Sequence, residues 1–111
     1  MTKEELKNIF EILNIPANEG ILYLNKNGEF PRVVFFEYAW KDLTASDEVY
    51  DTLVTYQVSF RSLIPRDSKL IQLKKELANL GLYPDIYIEY IEDKKEWHSY
   101  FSIDILENIN E

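Results

Sequence analysis

A chain of 111 residues that is 46% apolar is long enough for one core and too apolar to stay disordered. It has no cysteine, which excludes thiolate catalysis, disulfides and Cys-ligated zinc. Its formal charge of −8, from 20 acids against 12 bases, disfavours nonspecific nucleic-acid binding.

Thr2 and Glu5 have the spacing of a capping box, so a helix is predicted from the very beginning. Leu6, Ile9, Phe10 and Leu13 fall on one face of it. Pro16 pushes Ile15 out of the helical region and ends the helix nearby. "GILYLNKNGEFP", residues 20–31, reads as a short strand and a turn, with Asn27-Gly28 supplying the positive φ. "RVVFFEYAW", 32–40, is the next strand. Val34, Phe36, Tyr38 and Trp40 share one face and Val33 and Phe35 the other, so its start is expected to be covered on both sides. "KDLTASDE", 41–48, reads as a polar, flexible connection that protrudes between two antiparallel strands.

The stretch "ASDEVYDTLVTYQVSFRS", 45–62, ends in a clean alternation. Val54, Tyr56, Val58 and Phe60 point one way, and Thr55, Gln57, Ser59 and Arg61 the other. The polar side holds no His, no Cys and no paired carboxylates, so it reads as a surface for contact. "PRD" at 65–67 breaks this strand. Asp67 or Ser68 caps a second helix with an apolar stripe of Leu70, Leu73, Leu77 and Leu80, and Gly81 terminates it. "DIYIEYIE" (85–92) and "EWHSYFSIDI" (96–105) form a closing hairpin. The order predicts a single α+β domain over residues 1–111, a mainly antiparallel sheet of about four strands with two helices packed on one face.

Candidates for chemistry are few. His98, the single histidine, reads as an exposed sheet residue beside Trp97 and Tyr100. Asp104 shares its parity but lies roughly 20 Å along an extended strand. Asp47, Glu48 and Asp51 lack the alternating spacing and central glycine of a calcium loop. Three glycines, at 20, 28 and 81, cannot make a phosphate loop, and no nucleophile elbow is present. The reading is of a protein that is not an enzyme, with no cofactor and no metal. "MTKEELKNIF" lacks the apolar core of a signal peptide, and no apolar run reaches the roughly 18 residues of a membrane span. A soluble protein with no membrane partner is expected.

The charge is uneven. Residues 61–75 carry five bases against Asp67, a net of +4, whereas residues 85–111 carry eight acids against Lys94 and Lys95, a net of −6. Complementary patches of this kind suit head-to-tail self-association. The candidate subunit interface has Arg61, Arg66, Lys74 and Lys75 on its basic side and Asp85, Glu89, Glu92 and Asp93 on its acidic side.

Several of these segments resemble, in order, small proteins of long-tailed bacteriophages of low-GC Gram-positive bacteria. The Pro-led strand "FPRVVFFEY" is followed by a polar loop and "VYDTLVTYQVSF". Then come the helix "RDSKLIQLKKEL" and the hairpin "YIEYIEDKKEWHSYFSIDI". The resemblance covers residues 17–106 and is to tail terminator, or tail completion, proteins. Here Ser46 separates Ala45 from Asp47 where Ala is expected directly before Asp, an insertion that a loop accommodates. The resemblance implies a ring, usually of six copies, on the end of the finished tail tube. The ring stops tube polymerisation and meets the head connector. Its partners would be further copies of itself, the tube protein and the connector protein, with no direct nucleic-acid binding. It would be made in the host cytoplasm and end in the virion. Two other readings stay open: a head–tail connector or neck subunit, and an acidic nucleic-acid mimic that inhibits a DNA-processing enzyme.

Overall fold

Capping and alternation place the elements. A computed structural model describes residues 1–20, 30–45 and 48–109. Helix α1 spans Lys3–Ile12, and both halves of the Thr2/Glu5 capping box are made, with Thr2 N donating to Glu5 Oε1 at 2.8 Å and Glu5 N to Thr2 Oγ1 at 3.1 Å. Asn14, at φ 56°, turns the chain out of the helix. Helix α2 spans Ser68–Asn79, with the Asp67 carboxylate accepting from Lys69 N at 2.9 Å. Leu80 closes it, and Gly81 at φ 79° takes the left-handed turn that follows. The Lys69 ammonium donates to the Leu13 carbonyl, tying the start of α2 to a carbonyl left open at the end of α1.

Five strands form one mixed sheet: β1 (Ala17–Glu19), β2 (Arg32–Ala45), β3 (Glu48–Ser62), β4 (Tyr87–Ile91) and β5 (Glu96–Glu107). Their spatial order is β1-β2-β3-β5-β4, with β1 parallel to β2 and every other pair antiparallel. The α+β class is thus as the sequence reads. The sheet has five strands, however, and is not wholly antiparallel. The turn at Asn27-Gly28 falls outside the described residues.

The core lies on one face of the sheet. Val33 and Phe35 of β2, Val54, Tyr56, Val58 and Phe60 of β3, and Phe101, Ile103 and Ile105 of β5 pack with Leu6, Ile9 and Phe10 of α1 and Leu70, Leu73 and Leu77 of α2. Both helices therefore cover the same face. The Phe10 and Phe35 rings meet at 5.6 Å, and Phe35 and Tyr56 at 6.3 Å.

Two expectations need correction. Residues 41–45 are not a flexible loop, because β2 runs to Ala45 and pairs with β3 as far as Ala45↔Glu48. A β-bulge between Glu37 and Ala39 also splits the predicted face of β2. Ahead of it Val34 and Phe36 lie away from the helices, and the Tyr38 hydroxyl on that side reaches Ser102 Oγ at 3.0 Å. Beyond it Trp40 pairs with Val54, on the helix-bearing face, because one extra residue inverts the alternation. The core side of β2 is the Val33/Phe35 side.

Tyr56 is fully buried, and its hydroxyl donates to Glu107 Oε2 at 2.6 Å. Burial first, and the Glu107 carboxylate second, push its ionisation well above the usual phenol value. Lys3 lies 5.9 Å from the Tyr56 ring and pairs with Glu19 at 2.8 Å, which raises its pKa despite partial burial. Both groups hold their protons more tightly folded than unfolded, so both contribute stability that is complete below pH about 10 and falls as pH rises beyond it. Urea midpoints measured across that alkaline range should fall steeply for the native chain and more gently for Tyr56→Phe; equal slopes would show that Tyr56 does not titrate with unfolding.

Candidate functional site

The face of the sheet opposite the helices is built from the other half of each alternation. Cross-strand register sets it out in rows. Arg32 pairs with Arg61, Arg61 with His98, and His98 with Glu89, one residue from each of four strands. The next row is Val34, Ser59, Tyr100 and Tyr87, and the next Phe36, Gln57 and Ser102. No helix covers this face among the described residues. Its centre is nonetheless partly closed by its own side chains: Ser59 is buried, and Val34, Phe36, Gln57, Arg61, His98 and Tyr100 are half-buried.

Two recesses lie on this face. One, of about 440 Å³, is lined by Tyr38, Gln57, Asp85, Tyr87, Tyr100, Phe101 and Ser102. The other, of about 310 Å³, is lined by Arg32, Val34, Phe36, Gln57, Ser59, Arg61, Lys94 and His98. Beyond them the β2–β3 hairpin carries Trp40, 64% exposed, whose indole donates to the Glu37 carboxylate, and Leu43 is also exposed.

His98 is not the exposed residue that its place in the sequence suggests. Its side chain is only 13% exposed, stacked on Tyr100 at 4.9 Å, with Nδ1 3.0 Å from Glu89 Oε2. Sequence separation hid that carboxylate, because it comes from the neighbouring strand, directly opposite. Among the described residues Nε2 of His98 is buried without a partner, and so is Nε of Arg32. Leaving such a group unsatisfied costs about 1–3 kcal/mol.

The eight candidate interface residues do not form two opposed patches. Arg61 is engaged within the chain, its guanidinium donating to Glu96 Oε1 at 2.6 Å. Glu96 is almost fully buried. Glu89 belongs to the His98 pair, and Asp85 lines the tyrosine recess. Lys74 and Lys75 are exposed on α2, on the other side of the sheet from Arg61. Arg66, exposed at φ 53°, lies in the turn after β3. Glu92 and Asp93 are exposed in the β4–β5 turn, at the same end of the sheet, since Ser62 pairs with Trp97. Free charge is thus left on Arg66, Lys74 and Lys75 against Glu92 and Asp93.

Among the described residues no group of three or more His, Asp or Glu side chains is placed to hold a metal ion. No described helix is long and apolar enough to cross a membrane. No protein-family model matches the chain, and no curated protein matches it.

Removing one partner of a buried ion pair leaves the other uncompensated, at a cost of about 3–5 kcal/mol when burial is complete. Arg61 is 26% exposed, so Arg61→Ala should cost about 2–3 kcal/mol in chemical denaturation and Arg66→Ala less than about 0.5. Equal losses would mean that the Arg61–Glu96 pair contributes nothing.

Proposed function

We propose that this chain is a non-enzymatic virion assembly protein of a long-tailed phage, a ring-forming tail terminator that joins the tail tube to the head connector. The observation that carries this reading is the β2–β3 hairpin together with the helix-free sheet face it extends. On a long two-stranded arm Leu43 is exposed, as is Trp40 on the helix-bearing side, while Tyr38 and Tyr87 are exposed on the open face; large side chains of this kind suit contact. The Pro-led strand, the Y-Q-V strand, the Asp-capped helix and the YIE hairpin follow one another in the order of the resembling tail proteins. The free cations on α2 and the acids of the β4–β5 turn suit unlike surfaces of adjacent copies, and such contacts close into a ring when the rotation permits. Arm and sheet face would meet the tube and the connector.

The test is electron microscopy of particles from a phage or prophage with a stop codon in this gene. Tails of irregular or excessive length beside filled, unattached heads are the expected result. Normal-length tails without heads would move the protein to the connector, and intact infectious particles would remove it from the virion.

Within the ring, Lys74→Glu with Lys75→Glu should abolish assembly on tail tubes and leave the monomer folded, because both side chains are exposed and without ion-pair partners among the described residues. Trp40→Ala should leave the thermal midpoint within about 2 °C and reduce tube binding about tenfold or more. Unchanged assembly in both variants would rule out these surfaces.

A further inference from the structure

The smaller recess on the open face has a composition at odds with the rest of a chain of charge −8. Arg32, Arg61, Lys94 and His98 line it, with Ser59 and Gln57 between them and Val34 and Phe36 forming an apolar wall. Glu96 offsets Arg61, and Glu89 holds His98 Nδ1. Arg32 and Lys94 have no carboxylate partner among the described residues.

Arg32 and Arg61 stand directly opposite each other on adjacent strands. Like charges at that position destabilise a sheet. Here the arrangement is built rather than incidental. Arg32 lies with its guanidinium carbon 5.3 Å from the Phe30 ring centroid, and Arg61 is held by a 2.6 Å bond to Glu96. The Gln57 amide donates to Ser59 Oγ at 3.2 Å, which leaves the Ser59 proton for another acceptor. Arg32 Nε is a buried donor with no acceptor among the described residues, and His98 Nε2 is likewise buried there without a partner. Arg32 and Lys94 thus bring positive charge to the recess with no carboxylate among the described residues to offset it.

We propose that this recess binds an oxyanion, a carboxylate or phosphate group carried on a small apolar body. The planar forks of the two arginines suit the paired oxygens of either group. Val34 and Phe36 would take the apolar part, and a volume of about 310 Å³ admits a group the size of a substituted ring. This inference does not depend on the tail reading. It stands on the register row and the recess alone.

The test is a titration of the full ¹⁵N-labelled chain, followed by amide NMR, with inorganic phosphate, with benzoate, and with sodium chloride at matched ionic strength. Phosphate or benzoate should give saturable shifts centred on Arg32, Ser59, Lys94 and His98, with chloride giving none. Tighter benzoate binding, with added shifts at Val34 and Phe36, would identify a carboxylate on an apolar body; tighter phosphate binding would identify a phosphate group. Arg32→Gln leaves the Arg61–Glu96 pair in place, and Lys94→Gln alters an exposed turn. Each should weaken binding about tenfold, the worth of one charge-assisted hydrogen bond, with the remaining spectrum unchanged. Shifts no larger than those with chloride, shifts centred on Lys74 and Lys75, or affinity untouched by both substitutions would overturn the proposal.

Discussion

Strand β3 is the member through which the sheet is held together. It pairs with β2 along nearly all its length and with β5 over Thr52–Ser62, so each residue from Thr52 to Arg61 has a neighbour on both sides. Its period-two alternation then divides the molecule. Val54, Tyr56, Val58 and Phe60 bind both helices to one face. Thr55, Gln57, Ser59 and Arg61 leave the other face polar. A slip of one residue would exchange the two sets and turn Arg61 towards the core.

Because α1 and α2 share one side, the opposite side is free to make contacts, and the same strands that build the core set out rows of functional groups across it. The bulge at Tyr38 has a part in both. It keeps Tyr38 on the open face, hydrogen-bonded to Ser102, and turns Trp40 to the helix-bearing side, where Glu37 accepts its indole hydrogen. Among the described residues Trp40 and, further along the hairpin, Leu43 are left exposed. An arm of this kind beside a tyrosine-lined face suits assembly, whereas the cationic recess suits a small anion. The recess lies on the open face, whereas the arm's Trp40 is turned to the helix-bearing side.

Local chemistry made most elements legible. The capping box, the leucine stripe of α2 from Leu70 to Leu77, the glycine that ends that helix and the alternation of β3 each act within a few residues and stand where the sequence places them, whereas Leu80, read as part of the stripe, caps α2 and is exposed. The polar run at 41–45 misled because strand pairing with β3 outweighs its low β propensity once β2 and β3 are already zipped. The face of Trp40 misled because a bulge depends on the partner strand. The candidate site was less legible still. Arg61 looked like free charge because Glu96 lies 35 residues away, and His98 looked exposed because Glu89 and Tyr100 close around it from two strands.

The sequence by itself determined the class of the fold, both helices with their caps, the long alternating strand and the absence of cysteine chemistry, because periodicity, capping and composition are local properties. Only the tertiary structure decided that β1 adds in parallel, that a bulge turns Trp40 to the helix-bearing side, and that Arg32, Arg61, His98 and Glu89 form one row. Those outcomes depend on strand order and register. They bring together residues far apart in the chain, and no short-range pattern encodes which strand lies next to which.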